Sequence, residues 1–292
     1  MRTIDKIVKI DNRSIEFPQK LREIPNPPKQ LYCTGNTELL YSKSIAVVGS
    51  RKFTMYGKCV AQMIGKKFAQ YGVPVVSGLA NGIDSFAHQG MMEVKGKGIG
   101  VLGSGIKQMG PRRNYNLMLD MIDAGGLIVS EYEPDEPGNK ATFPQRNRII
   151  SGLSEAVIVV EANFNSGALI TAQYANSQGR TVFAVPGNIN SQFSMGSNLL
   201  IRDGAIPLIV VDDALKELGI EKKKDSLPAI ECGKDEMEIV NVMMKHNGIA
   251  VDNIANEINR RVGEVNAVLT VMEIKGIVQS NCGKFYLTQN CV

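Results

Sequence analysis

Gly49, Ser50 and Arg51 close the apolar run SIAVVGS, and Lys52 follows. A backbone without Cβ, a hydroxyl and a guanidinium in consecutive positions suit a phosphate group. Similar groupings end other apolar runs. One is Ser77-Gly78-Leu79-Ala80-Asn81-Gly82-Ile83-Asp84. Another is Asn163-Phe164-Asn165-Ser166-Gly167, with Ser166 and Gly167 where a helix N-cap belongs. A third is Pro186-Gly187-Asn188, followed by Ser194-Met195-Gly196-Ser197-Asn198. Basic residues accompany them: Lys140, then Phe143-Pro144-Gln145-Arg146-Asn147-Arg148, and Arg112-Arg113 elsewhere. Each has a bland alternative. A lone arginine is usually solvated, an N-cap serine can be structural, and one arginine of the RNR pair can pack against a carboxylate such as Glu161. Arg51 ranks first as a ligand contact, ahead of Arg148.

Catalytic groupings are weaker. Asp84 and His88 share a helix face and would suit acid–base chemistry. A helix-start carboxylate and a packed histidine explain the pair better. The sequence has only two histidines, His88 and His246, and no Ser/His/Asp set, so neither a metal centre nor a catalytic residue is expected. Gly98, Gly100 and Gly103 satisfy GxGxxG, but they lie inside an apolar run, where the dinucleotide loop does not belong. No cofactor is expected.

The elements that must position these groups read clearly. SIAVVGS (44–50), VPVVSG (73–78), GIGVLG (98–103), GLIVSE (126–131), EAVIVVEA (155–162), TVFAVPG (181–187) and IPLIVVDD (206–213) are short apolar runs. Unbroken by polar alternation, they predict strands buried on both faces. Helices are expected between them: 56–72, carried by Val60, Met63, Ile64 and Phe68, then 83–95, 114–125 and 168–179. Such alternation predicts an α/β, doubly wound parallel sheet, an extended Rossmann-like fold. Ligands then bind at the carboxyl ends of its strands, where the glycine-rich groupings sit.

Flanking this core, residues 1–42 lack periodicity and read as an extended arm, and 43–218 form the Rossmann-like domain. Residues 219–234, with three consecutive lysines and Pro228, read as a linker. Residues 235–292 suggest three helices and a hairpin, a winged-helix-like module. Its helices would be lined by Met237, Val240, Met243 and Met244, by Ile254 and Ile258, and by Val265, Val268, Leu269 and Met272. Its near-uncharged third helix favours protein contact or stabilisation over duplex binding. Charge is mild: 33 Lys and Arg against 29 Asp and Glu. Any anion must therefore bind by local placement. No apolar run approaches the roughly 20 residues of a membrane helix, and no secretory h-region opens the chain. The five cysteines form no CxxC pair, so reduced thiols and a cytoplasmic location are expected.

The stretches AVVGSRKFTMYG, VVSGLANGIDSFAH, FPQRNRIISGLSEAVIVVEANFNSGALITAQYANSQGRTVFAVPGNI and SMGSNLLIRDGAIPLI, in this order, resemble the DprA/Smf family of bacterial DNA-processing proteins. The resemblance covers residues 17 to 213. It implies a non-catalytic mediator, acting as a homodimer, that binds single-stranded DNA and loads the recombinase RecA onto incoming DNA in natural transformation. Single-strand-binding protein is a further implied partner. Carried over by position, the family's pocket implies Gly49, Ser50, Arg51, Ser77, Gly78, Asn81, Gly82, Lys140, Phe143, Arg146 and Arg148. Lys52, Ser166 and Gly167 join the set from the loop readings. This chain departs from the family pattern at Asn81, often arginine, and at MGPRRN (109–114), where YPxxN is usual. The helical domain preceding the core in some members is expected to be absent or reduced to a short arm.

An enzyme of Rossmann fold hydrolysing nucleoside monophosphates would use similar loops. Pro186-Gly187 lacks the GGxGT continuation that such a phosphate loop needs.

Overall fold

The structure, a computed structural model, describes residues 4, 6–220, 233–246, 248–281 and 283–287. The chain divides into two compact units, Met1–Ser226 and Leu227–Val292.

In the first unit the chain runs β1 (Val8–Asp11), α1 (Gln19–Arg22), β2 (Gln30–Gly35), β3 (Ile45–Val48), α2 (Met55–Gln70), β4 (Val75–Ser77), α3 (Ile83–Glu93), β5 (Gly98–Leu102) and α4 (Tyr115–Asp123). It continues through β6 (Leu127–Ser130), α5 (Thr142–Leu153), β7 (Ala156–Val159), α6 (Gly167–Ser177), β8 (Thr181–Ala184), α7 (Met195–Arg202), β9 (Ile206–Pro207) and α8 (Val211–Glu217). One nine-stranded sheet results, in the order β1-β2-β6-β5-β4-β3-β7-β8-β9. From β6 to β9 every pairing is parallel; β1 with β2 and β2 with β6 are antiparallel. The fold is α/β and Rossmann-like, as expected.

Why these runs form buried strands is visible along β3. Ile45 and Val47 enter the hydrophobic cluster on one face, and Ala46 and Val48 enter the cluster on the other. A strand apolar at every position therefore serves two cores, as the period of two requires. Helices α2, α3, α4 and α8 cover the first face, while α1, α5 and α6 cover the second.

Three readings of the first unit need correction. The stretch expected to be an aperiodic extended arm holds β1 and β2, and β2 pairs with β6 in the main sheet. Prolines at 25, 27 and 28 precede β2 and hid its register. The last apolar run is a strand only at Ile206–Pro207; Val211 to Glu217 are helical. The buried face of α2 is Gly57, Ala61, Ile64, Gly65 and Phe68, whereas Val60 and Met63 are only partly buried. Small residues face inward because α2 and α3 cross closely. A Cβ on Gly65 would strike the Ala87 backbone, and one on Gly90 would strike that of Gln62. This crossing fixes where α3 begins, and with it the Asn81–Asp84 loop.

The second unit has α9 (Lys234–Met243), α10 (Val251–Glu257), α11 (Val262–Ile274) and the antiparallel hairpin β10 (Val278–Asn281) with β11 (Lys284–Leu287). Three helices and a hairpin in this order are winged-helix-like. The inward face of α9 is Ile239, Val240, Val242 and Met243, and the expected Met237 and Met244 are exposed. Ile239 and Val240 stand four and three residues before Met243, the helical spacing that the methionine pattern obscured. Most of the expected 219–234 linker lies outside the described residues.

Candidate functional site

The sheet order reverses at β3. Chain order ascends from β3 through β4 and β5 to β6 on one side, and from β7 to β9 on the other. Loops leaving β3 and β7 at their carboxyl ends therefore turn apart and open a crevice. A cavity of about 360 Å³ lies there, lined by residues that include Gly49, Ser50, Arg51, Lys52, Phe143, Arg146, Ser166 and Gly167. Eight residues singled out in the sequence thus meet in one cavity.

Two buried carboxylates hold the loops around it. Asp84, in the first turn of α3, accepts a hydrogen bond from the Gly78 amide at 3.1 Å, and the amides of Ala80 and Gly49 also turn toward it. One side chain thereby ties the β3 loop to the β4 loop. Arg146 lies beside it: a Cβ on Gly78 would come within 2.6 Å of Arg146 Nη2 and 2.8 Å of Asp84 Oδ2. Only glycine fits between the two. Burial pushes the Asp84 carboxyl upward, against the pull of Arg146 and the amides, and pushes Arg146 down to about 10. The arginine remains cationic at neutral pH.

Glu161 is the second carboxylate, 2 % exposed at the end of the β7 segment. It accepts from the Thr54 amide at 2.9 Å and from the Thr54 hydroxyl. Thr54 in turn caps α2 by accepting from the Gly57 amide at 3.1 Å. The main-chain oxygen of Glu161 also holds the Ser50 amide at 2.7 Å. A carboxylate at this helix start also suits the α2 dipole. The loop carrying Arg51 and Lys52 is therefore pinned at both ends while both side chains stay exposed.

Several amides read from sequence as phosphate donors are thus already engaged. Those of Gly49 and Gly78 serve Asp84, and that of Ser50 serves Glu161. Donors still facing the crevice include Arg51, Lys52 and the start of α6. There Ser166 accepts from the Ala168 amide at 3.3 Å, and Ser166, Gly167 and Ala168 line the cavity. Arg51 also lies over the Phe143 ring, 5.9 Å from its centre.

Other residues fall elsewhere. Ser77 is buried and donates to Val47 O at 2.6 Å, so it is part of the sheet. Asn81 lines a side cavity of about 230 Å³ shared with Arg51, Phe143 and Arg146, where its Oδ1 is buried with no hydrogen-bond partner. Gly82 precedes α3 as its N-cap residue. Lys140 is exposed, two residues before α5. Arg146 is only 5 % exposed; it donates to Gly78 O at 2.9 Å, to Val101 O and to Asn147 Oδ1, and forms the cavity floor. Arg148 points away. It makes a two-pronged ion pair with Glu131 at 2.7 and 2.6 Å and donates to Asn26 O at 2.8 Å. The structural partner of the RNR motif is therefore Glu131 rather than Glu161. The β8 loop does not line the crevice; Asn198 clamps Gly187 at 3.1 and 3.0 Å.

Sequence reasoning passed over Asn147, which links Arg146 to the Gly167 carbonyl at 3.2 Å. Its place between two arginines was the available signal. Asp84 and His88 are not a couple. His88 is buried with neither ring nitrogen hydrogen-bonded, and burial lowers it to about 3. Among the described residues no group of His, Cys, Asp and Glu could hold a metal ion. No helix of the described residues is long and apolar enough to cross a membrane.

A mostly parallel sheet with a basic, glycine-lined crevice at its switch point defines a Rossmann-like protein. The particular family follows from comparison. The family described as DNA recombination-mediator protein A matches residues 8–219. Protein Smf of Escherichia coli K12 is 36 % identical over 277 residues, covering 92 % of this chain and 74 % of that protein. DNA processing protein DprA of Bacillus subtilis 168 is 41 % identical over 206 residues, covering 70 % and 69 %. The X-ray structure of DprA from Streptococcus pneumoniae superposes with a TM-score of 0.68 at 38 % identity, covering 73 % and 75 %. A Helicobacter pylori structure, described by its single-stranded DNA binding mode, gives 0.66 at 29 %, covering 73 % and 95 %. The chain belongs to the DNA recombination-mediator protein A family, the DprA/Smf proteins. Its role is that of a DNA-processing recombination mediator.

Proposed function

We propose that the crevice binds the backbone of single-stranded DNA and that the protein, as a homodimer in the cytoplasm, loads RecA onto that strand during natural transformation. One observation carries the DNA reading: Arg51 and Lys52 stand exposed beside the α6 N-terminus, on a loop pinned by Glu161 and Asp84. Fixed cations beside helix amides attract phosphate and release its counterions. The Phe143 ring adds a surface for one base. Gly49, Ser50, Gly78, Asn81 and Gly82 shape the pocket, and Lys140 extends its charge. Arg146 and Arg148 hold the frame. The relative from Helicobacter pylori, whose structure is described by its single-stranded DNA binding mode, supports this reading. No group is poised for catalysis in it, and no cofactor is needed.

Photocrosslinking a 4-thiothymidine oligonucleotide to the full chain tests the site. Crosslinks within 49–53 and 140–167 are expected; crosslinks confined to 233–287 would refute it. RecA loading is read separately, as faster RecA ATPase onset on a strand coated with single-strand-binding protein. An unchanged lag would remove loading while leaving DNA binding intact.

A further inference from the structure

Arg51 borders not one cavity but three, and the largest, about 930 Å³, lies outside the crevice. This groove runs between α2, α3 and α4. Arg51, Phe53, Asn81, Phe86, Arg113 and Leu117 are among its lining. Phe53 meets Phe86 edge-on, with centroids 4.6 Å apart and planes at 79°. That contact holds Phe53 in one orientation yet leaves it 38 % exposed. Lys58 lies 5.3 Å from the Phe86 ring centre. Glu93, which also borders the groove, is engaged by Lys66 at 3.8 Å.

We infer that this groove is a second nucleotide subsite, in which Phe53 stacks a base and Arg113 contacts the phosphate next to it. The inference rests on the single-stranded DNA reading of the crevice. Arg51 borders the crevice, the side cavity and the groove, and Asn81 borders the last two, so a strand leaving the crevice past Arg51 reaches the groove next. An exposed ring on a rigid partner stacks any base, and an adjacent arginine suits phosphate. The groove therefore lengthens the occluded site and adds no sequence preference.

The test is a length series of oligo-dT. Phe53→Ala should weaken binding of a ten-nucleotide strand roughly tenfold. It should leave a three-nucleotide strand, which fills only the crevice, unchanged. Equal losses at both lengths, or none at either, would overturn the inference. The chain contains no tryptophan, so Phe53→Trp introduces a single reporter. Its emission should be quenched by the long strand and not by the short one. Absence of quenching with bound long DNA would also overturn it. If the wild-type protein binds neither strand, the crevice reading itself fails, which is a distinguishable result.

Discussion

The Arg51 guanidinium carbon lies 5.9 Å from the centre of the Phe143 ring, joining the loop after β3 to the start of α5. A cation over an aromatic face is held by the ring quadrupole at modest cost to its other contacts. Its N–H groups remain available to a ligand, and the residue stays exposed at the junction of three cavities. This is the arrangement expected of a phosphate contact.

Arg51→Ala should therefore weaken oligo-dT binding and flatten its salt dependence. Losing one phosphate contact lowers the slope of log K against log salt by about 0.7 for a single strand. Anisotropy titrations between low and moderate salt measure this. An unchanged slope would remove Arg51 from the phosphate contacts.

Arg148 should behave differently from Arg51. Its ion pair with Glu131 is nearly dry, with side chains 6 % and 12 % exposed. Removing one partner strands the other, at a cost of about 3–5 kcal/mol. Arg148→Met should lower the urea midpoint strongly, and Glu131→Gln in the same chain should recover part of that loss. DNA affinity of the folded protein should hardly change.

Asp84 gathers the amides of Gly78, Ala80 and Gly49 and faces Arg146. Asp84→Asn keeps the volume but sets an NH2 group against donors. A destabilisation of about 2 kcal/mol is expected from the charged hydrogen bonds lost. Oligo-dT binding should weaken with it, because both loops bordering the crevice lose their tie. Wild-type affinity in the variant would show that the loops hold their shape without it.

His88 sets an acid limb on stability. Burial lowers its folded value to about 3, from the ordinary 6.5 of a histidine in water. Below pH 6.5 the unfolded chain takes up a proton that the folded chain refuses. Its contribution is thus fully present above pH 6.5 and is lost as pH falls toward 3, by about 1.4 kcal/mol per pH unit at the steepest. His88→Leu should flatten that limb in urea titrations at stepped pH. Parallel pH curves for the two proteins would contradict this.

Much of the frame was legible because the strands are apolar at every position, a pattern that two-sided burial demands. The glycine-rich groupings followed, since strand ends are where such a sheet holds ligands. What stayed hidden was three-dimensional. Arg146 and Arg148 are two residues apart on α5, so they face different ways, and spacing alone does not say which acid each meets. Glu131 was out of view because it follows a strand three places away in the sheet from β3. Strand β2 hid behind Pro25, Pro27 and Pro28. The amides of Gly49 and Gly78 looked available because sequence does not show Asp84 folding back to take them.

The most direct test of the central claim is anisotropy of a labelled oligo-dT against a matched duplex, at rising salt. Tight single-strand binding that fades with salt, with the duplex much weaker, is the predicted result. Equal affinity for both, or none for the single strand, would contradict the account and point to a small phosphorylated ligand in the crevice.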